Sequence, residues 1–173
     1  MITLIYGGSG SGKSGFAEDF VCKTTFANRY YLATMSSQDT ESINRIARHR
    51  KLRNGKNFIT LEYPVNIANA ISDIALDAIV LLECMSNLVA NEMFSSKTPM
   101  SWEECANKIL TDIKSLEDKV GHLVIVTNNI FEDGNTYDEW TKEYMRSLGM
   151  INRSLAKRAT ECYEVVVGIG IKI

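Results

Sequence analysis

A glycine-rich stretch near the start of the chain, YGGSGSGKSG at residues 6–15, constrains the fold more than any other feature. Its spacing of Gly7, four residues, then Gly12, Lys13 and Ser14 is the G-x-x-x-x-G-K-[ST] pattern of a phosphate-binding loop. Glycines let such a loop wrap with its N–H groups inward, and the helix that follows presents the positive end of its dipole. The pattern predicts that Lys13 reaches the β- and γ-phosphates and that the Ser14 hydroxyl binds Mg²⁺. A flexible Ser/Gly linker has no reason to carry Gly-Lys-Ser between a strand and a helix.

Beyond the loop, strand-like and helical segments alternate along the chain. The predicted strands span residues 2–6, 29–34, 58–62, 78–83, 122–128 and 163–172. The predicted helices span residues 13–24, 38–51, 65–75, 84–94, 101–119 and 138–160. Long apolar runs suit strands buried on both faces, and their alternation with helices implies a parallel sheet with right-handed crossovers. We therefore predict an α/β fold of the P-loop NTPase type, RecA-like, with a mostly parallel sheet flanked by helices. Residues 1–173 are expected to form a single nucleotide-binding catalytic domain.

Composition argues against several other classes of protein. Hydrophobic residues make up 45% of the 173 residues, which suffices for a full core, and the net charge of −2 argues against a globally basic nucleic-acid binder. No apolar run is long enough to span a bilayer, and a strand starting at Met1 or Ile2 leaves no room for a signal peptide. The cysteines lie far apart without a C-x-x-C pair, so they predict neither zinc nor disulfides and fit a reducing cytoplasm. They are Cys22, Cys84, Cys105 and Cys162.

Two of the predicted strands end in a glutamate. The run AIVLLE ends in Glu83, and an acid at the carboxyl end of an apolar strand is the usual partner of a phosphate loop. Such an acid orients Mg²⁺ or its water, or takes a proton from an attacking hydroxyl. The alternative is a strand-end carboxylate that merely binds a neighbouring helix N-terminus. Glu62, at the end of FITLE, indicates little by itself.

A second feature is the basic segment RIARHRKLRNGK, residues 45–56, in a chain that is slightly acidic overall. Its cations repel each other unless an anion lies among them, and phosphates are the natural occupant. They are Arg45, Arg48, Arg50, Lys51, Arg53 and Lys56. The arginines are expected to depress the pKa of His49, and a neutral imidazole could attack an α-phosphate to form a covalent nucleotidyl intermediate. Ile43, Ile46 and Ala47 suggest that one face of this helix is buried. The alternative is a solvated basic helix face with an incidental histidine.

Taken together, these pieces occur in order in one family. The sequence resembles the bifunctional adenosylcobinamide kinase / adenosylcobinamide-phosphate guanylyltransferases of cobalamin synthesis, over nearly its whole length. The basic histidine segment and the LLEC block are far more specific than the phosphate loop. The matching segments are GGSGSGKS at 7–14, YLAT at 31–34, RIARHR at 45–50, LEY at 61–63, LLECMSNLVANEMF at 81–94, VIVTN at 124–128 and GMINRSLAKRATECYEVVVGIGIKI at 149–173.

The resemblance implies two reactions. A nucleoside triphosphate, GTP or ATP, phosphorylates the aminopropanol hydroxyl of adenosylcobinamide, and GTP then gives GMP to that phosphate through a guanylylated histidine, here His49. It implies catalytic roles for His49, Lys13 and Glu83, Mg²⁺ ligands at Ser14 and Glu83, and a homotrimer. The nucleotide contacts that it implies are Gly7, Gly8, Ser9, Gly10, Ser11, Gly12, Lys13, Ser14, Ala33, Thr34, Met35, His49, Arg50, Lys51, Leu52, Glu62 and Glu83.

The chain departs from the family pattern after the strand that ends in VTN. Family members commonly read VTNEVG followed by a Gly-Ile-Val-Pro loop, whereas this chain has VTNNIFEDGNTYDEW, with Asn129 in place of the acid and Phe131 in place of the glycine. Later, an Asn-Gln pair becomes Asn152-Arg153. The corrinoid substrate is therefore less firmly implied than the GTP chemistry.

Two other functions stay open. One is a P-loop kinase in which the His49 segment only binds a phosphorylated small molecule. The other is a nucleotide-binding module that docks nucleic acid on the basic helix, which the acidic net charge and the lack of aromatic residues among the cations disfavour.

Overall fold

A computed structural model of the chain describes residues 1–36, 40–131 and 136–173, except for the side chains of Glu41, Ser42, Asn44, Arg45 and Leu52. The predicted helix start at residue 38 and the centre of the divergent 129–138 loop lie outside the described residues. The strands are β1 (Ile2–Gly7), β2 (Arg29–Ala33), β3 (Phe58–Glu62), β4 (Ile79–Glu83), β5 (His122–Asn128), β6 (Glu161–Val166) and β7 (Ile169–Lys172). The helices are α1 (Lys13–Cys22), α2 (Thr40–Leu52), a 3₁₀ helix (Ile67–Asp73), α3 (Met85–Met93), α4 (Trp102–Lys119) and α5 (Glu139–Arg158).

The seven strands of the described residues form one sheet in the order β3-β2-β4-β5-β1-β6-β7. The neighbours from β3 to β6 pair in parallel, and only β6 and β7 are antiparallel. The prediction of a mostly parallel sheet is confirmed. Since parallel strands end at the same edge, the register places Gly7 beside Asn128 and Ala33 beside Glu83. The phosphate loop and Glu83 therefore lie at the same edge, where ligands bind in open α/β sheets.

Helices cover both faces of the sheet, so successive residues of a strand enter different cores. In β1, Leu4 packs with α3, α4 and α5, whereas Ile5 packs with α1. The inner strand β4 is buried on both sides, since Ile79 through Leu82 all have 0% exposure. This burial explains why the AIVLLE run is apolar without alternation. None of the described helices combines the length and apolar character needed to cross a membrane.

Two predicted elements need correction. The single strand predicted at 163–172 is a hairpin of β6 and β7, and the chain reverses at Val167 and Gly168, both with positive φ. The apolar residues continue through the turn, which hid it from pattern analysis. The helix predicted at 65–75 is a shorter 3₁₀ helix that begins after Asn66.

The predicted buried face of α2 is also not found. Ile43 is 53% exposed and Ala47 is exposed, while Ile46 is half-buried and lines a cavity. The helix contributes its last turns to the edge of the sheet at which that cavity lies.

Candidate active site

The phosphate loop has the backbone conformation that its glycines permit. Gly10 and Gly12 have φ of 71° and 86°, in the left-handed region that favours glycine, and Gly12 precedes the first turn of α1. The side chain of Lys13 is buried, and its Nζ donates to the Gly8 carbonyl at 2.8 Å across the loop. Burial lowers the pKa of Lys13, opposed by the charge of Glu83. The loop thus holds the Lys13 ammonium group against its own backbone.

Glu83 lies directly beside this loop. Ser14 Oγ donates to Glu83 Oε1 at 2.7 Å. Burial raises the pKa of Glu83 to about 7, against the opposing effects of the Ser14 hydrogen bond and the Lys13 charge. The second oxygen, Oε2, is buried and has no hydrogen-bond partner among the described residues. An acid that titrates near neutral pH with an oxygen left over can bind a metal or accept a proton.

A cavity of about 480 Å³ opens at this edge of the sheet. It is lined by the phosphate loop, by the ends of β2, β3 and β4, and by the last turns of α2. The predicted site residues that it brings together are Ser9, Gly10, Gly12, Lys13, Ser14, Ala33, Met35, His49, Arg50, Glu62 and Glu83. Loop residues and His49, far apart in the sequence, therefore face one space.

The other predicted contacts lie elsewhere. Thr34 is buried, and its hydroxyl donates to the Cys84 carbonyl at 2.8 Å, which supports the strand ends rather than lining the cavity. Lys51 is exposed, and the Leu52 side chain lies outside the described residues. Gly7 has no room for a side chain, since a Cβ there would lie 2.8 Å from the backbone carbonyl oxygen of Val165. Gly8 borders a second cavity, described below.

The cations of the basic segment make three different kinds of contact. Arg50 forms an ion pair with Glu62, and both side chains are about 60% exposed, so this pair ties α2 to β3 only weakly. Arg53 is buried, with its Cζ 3.4 Å from the centroid of the Tyr31 ring, a cation–π contact. Lys56 binds Glu18 at 2.9 Å.

These contacts leave His49 among Arg48, Arg50 and Arg53 in the cavity wall. The depressed pKa expected for His49 stays a prediction. Arg53 Nη1 is buried without a hydrogen-bond partner among the described residues, so Arg53 can still bind an anion there. The sequence alone groups the six cations into one cluster. It does not show that Arg53 contacts Tyr31 or that Lys56 binds Glu18, because both partners are distant in the chain.

Several cavity residues were missed from the sequence. Asn87 and Asn128 line the cavity, and Asn128 Nδ2 donates to Ser86 Oγ. Asn128 is the last residue of β5 and lies beside Gly7. A polar residue at the end of an apolar strand could therefore have identified Asn128 as a site residue from the sequence. The ring of Tyr31 also lines the cavity, and its apolar strand gave no sign of this role.

The turn between β6 and β7 supports the phosphate loop from behind. Gly168 N–H donates to the Ser11 carbonyl at 2.7 Å. A Cβ on Gly12 would lie 2.9 Å from Gly168 Cα, so the two backbones touch. This hairpin turn is thus part of the loop's structure.

Within the described ranges, no group of three or more His, Cys, Asp and Glu side chains could hold a metal ion by itself. One hydroxyl and one carboxylate, Ser14 and Glu83, match the way proteins hold Mg²⁺, with few protein ligands and substrate phosphates.

Comparison with known proteins matches the whole chain to one family. The model of the cobinamide kinase / cobinamide phosphate guanyltransferase family matches residues 3–173. The bifunctional adenosylcobalamin biosynthesis protein CobU of Escherichia coli (strain K12) is 32% identical over 183 residues, covering 100% of this chain and 99% of that protein. The bifunctional adenosylcobalamin biosynthesis protein CobP of Pseudomonas aeruginosa is 26% identical over 170 residues, covering 98% and 95%.

Solved structures show the fold alone. One solved ATPase domain has a TM-score of 0.53 at 10% identity, covering 94% of this chain and 68% of that one. A KaiC-like protein of Pyrococcus horikoshii OT3 has a TM-score of 0.51 at 12% identity, covering 94% and 71%. The predicted P-loop NTPase-type fold is confirmed.

Proposed function

Because the chain belongs to the cobinamide kinase / cobinamide phosphate guanyltransferase family, we propose that it phosphorylates adenosylcobinamide with a nucleoside triphosphate and then transfers GMP from GTP to adenosylcobinamide-phosphate. One observation carries the second half of this proposal: His49 lines the same cavity as Lys13, Ser14 and Glu83. A kinase needs the phosphate loop and an acid. A histidine in the same cavity adds a nucleophile that a kinase does not need.

In the kinase reaction, the loop N–H groups and Lys13 hold the β- and γ-phosphates. The acceptor hydroxyl oxygen bonds to the γ-phosphorus while the bond from that phosphorus to the β,γ-bridging oxygen breaks, and the nucleoside diphosphate leaves. The hydroxyl proton passes to Glu83. A carboxyl group whose pKa is about 7 suits this role, because general bases work best near the operating pH.

Ser14 and Glu83 would hold Mg²⁺, which when bound supplies positive charge at the β- and γ-phosphates. The fit rests on the donor set, a hydroxyl oxygen 2.7 Å from a carboxylate whose second oxygen has no partner among the described residues. Oxygen ligands are those that Mg²⁺ prefers.

In the transferase reaction, a ring nitrogen of His49 attacks the α-phosphorus of GTP. The bond from that phosphorus to the α,β-bridging oxygen breaks, pyrophosphate leaves, and a guanylyl-histidine forms. A phosphate oxygen of adenosylcobinamide-phosphate then attacks the same phosphorus, the P–N bond breaks, and His49 is released. Arg50 and Arg53, which line the cavity beside His49, would stabilise the charge that develops on the phosphate.

Labelling tests the covalent step. The protein is incubated with Mg²⁺ and GTP labelled at the α-phosphate, then denatured; the expected label survives alkali and is lost in acid, as for a histidine phosphoramidate. His49→Ala should not label. The matched control is the other histidine, His122, whose ring is 2.8 Å from Thr3 Oγ1 on the amino-terminal side of the sheet. His122→Gln should label normally if circular dichroism shows it folded. If wild type binds GTP without labelling, the kinase-only function takes precedence.

The family resemblance also supports proposals about the whole molecule. We propose a single domain over residues 1–173, supported by one continuous sheet, and a cytoplasmic location, supported by four free cysteines. We propose a homotrimer, for which the exposed apolar side chains Ile43, Val167, Ile169 and Ile171 offer contact surface. Sedimentation equilibrium at micromolar concentration should give three times the 19.4 kDa chain mass; a monomer would contradict the trimer.

A further inference from the structure

A second cavity, of about 600 Å³, lies on the other side of the phosphate loop. Gly8 and Ser9 form one wall, the residues just after β5 form another, and the first turns of α5 form the third. Ser9 lines both cavities. The two cavities are therefore adjacent and share Ser9 in their walls.

The loop presents its terminal-phosphate end to this second cavity. Lys13 Nζ lies 2.8 Å from the Gly8 carbonyl, and the lysine of such a loop binds the β- and γ-phosphates. Gly8 and Ser9 are therefore close to the expected position of the β- and γ-phosphates. A hydroxyl that attacks the γ-phosphate from the second cavity would approach without crossing the nucleotide.

The lining of the second cavity differs in chemistry from that of the first. The described residues around it carry no charged side chain, and they include Ile130, Tyr144 and Met145. The first cavity is lined by Lys13 and several arginines. A triphosphate belongs in the cationic cavity, whereas a bulky body with amide and apolar groups fits the uncharged one.

We propose that the second cavity is the acceptor site, which holds the hydroxyl-bearing arm of the corrinoid and the edge of the ring to which it is attached. This inference rests on the proposed function and adds the location of its second substrate. One departure from the family pattern lies in this cavity, because Asn129 lines it whereas its neighbour Asn128 lines the nucleotide cavity. The product phosphate, formed beside Ser9, would face the cavity that contains His49, so one acceptor position serves both reactions.

A bulky substitution tests the assignment. Met145 is half-buried in the cavity wall, so Met145→Trp should fill part of the space. We expect the KM for adenosylcobinamide in the kinase reaction to rise at least tenfold, with the KM for the nucleotide and the acceptor-free labelling of His49 unchanged. Arg146→Trp is the matched control: it places the same ring on the next residue of α5, where the side chain is exposed, and should leave all three quantities as in wild type.

The results separate this proposal from the one on which it rests. An unchanged KM for adenosylcobinamide in folded Met145→Trp, or a raised KM for the nucleotide instead, would overturn the acceptor site while leaving the two activities intact. If wild type shows no kinase activity, equilibrium dialysis with adenosylcobinamide tests whether the second cavity binds the acceptor. Binding that Met145→Trp weakens and Arg146→Trp does not upholds the site, and absence of binding to wild type overturns it.

Discussion

Replacing Lys56 by methionine should lower both the free energy of unfolding and the yield of guanylyl-His49. Lys56 Nζ binds Glu18 at 2.9 Å and Asp19 at 3.0 Å, which ties the segment after α2 to helix α1. Backbone hydrogen bonds lead from this anchor to the nucleophile, since Lys56 N–H donates to the Arg53 carbonyl and Arg53 N–H donates to the His49 carbonyl. The anchor thus fixes the end of the helix that carries His49.

The magnitude follows from how deeply each partner is buried. Asp19 is 62% exposed, so its bond to Lys56 contributes about 0–1 kcal/mol. The Glu18 side chain is 1% exposed, and removing one partner of a buried pair costs about 3–5 kcal/mol. Lys56 itself is 27% exposed, so water screens the pair, and we expect a loss of about 2 kcal/mol. Burial alone would lower the pKa of Lys56, but the hydrogen bonds that its ammonium group donates to Glu18 and Asp19 raise that pKa, consistent with a favourable pair.

Urea unfolding measures this loss. With a slope of about 2 kcal/mol/M, the midpoint of Lys56→Met should fall by roughly 1 M. Glu18→Gln combined with Lys56→Met should cost less than Lys56→Met alone, because no carboxylate is then left buried without its cation. Asp19→Asn is the matched control and should shift the midpoint little. The labelling yield of His49 should fall about tenfold in Lys56→Met, since a small displacement of a nucleophile is costly.

Three results would refute this reasoning. If Asp19→Asn destabilises as much as Lys56→Met, the burial of Glu18 does not set the energy. If the double variant loses as much free energy of unfolding as Lys56→Met alone, or more, Lys56 and Glu18 do not act as a pair. Full labelling by a clearly destabilised Lys56→Met would show that the anchor does not position His49.

Four further predictions concern Glu83, Gly12 and Arg53. Between pH 4.5 and 7 the folded protein holds a proton on Glu83 that the unfolded chain releases, so stability should fall as pH rises through this window; Glu83→Gln should remove that slope in urea titrations. Glu83→Gln should also lower kinase kcat/KM about 10²- to 10⁴-fold, because an amide cannot accept the proton of the acceptor hydroxyl. Gly12→Ala should abolish GTP binding by calorimetry, because its φ is 86° and its Cβ would lie 2.9 Å from Gly168; intact binding would contradict the close packing of loop and hairpin. Arg53→Lys should reduce His49 labelling about tenfold at unchanged near-ultraviolet circular dichroism, because an ammonium cannot stack on Tyr31 as a guanidinium does; equal labelling would exclude a role for the planar group.

The features that the sequence predicted well are those determined by short, contiguous segments. The phosphate loop is eight consecutive residues with fixed spacing, and Glu83 follows directly from an apolar strand whose end the parallel sheet brings to the loop. The common edge of the strands follows from general rules of α/β folds.

What the sequence did not reveal depends on contacts between distant segments. Tyr31 and Arg53 are far apart in the chain and meet only because β2 lies beneath the end of α2. The turn at Val167 and Gly168 does not interrupt the apolar run, so no local signal separates β6 from β7. The same limit applies to Ile43, whose apolar character predicts burial although the side chain lies outside this chain's own core.

The hydrogen bond from Gly168 to Ser11 joins two segments that are made at very different times. During synthesis, the ribosome releases the phosphate loop long before its support. A chain that stops before β6 therefore has the phosphate loop but lacks the hydrogen bond that Gly168 N–H donates to the Ser11 carbonyl.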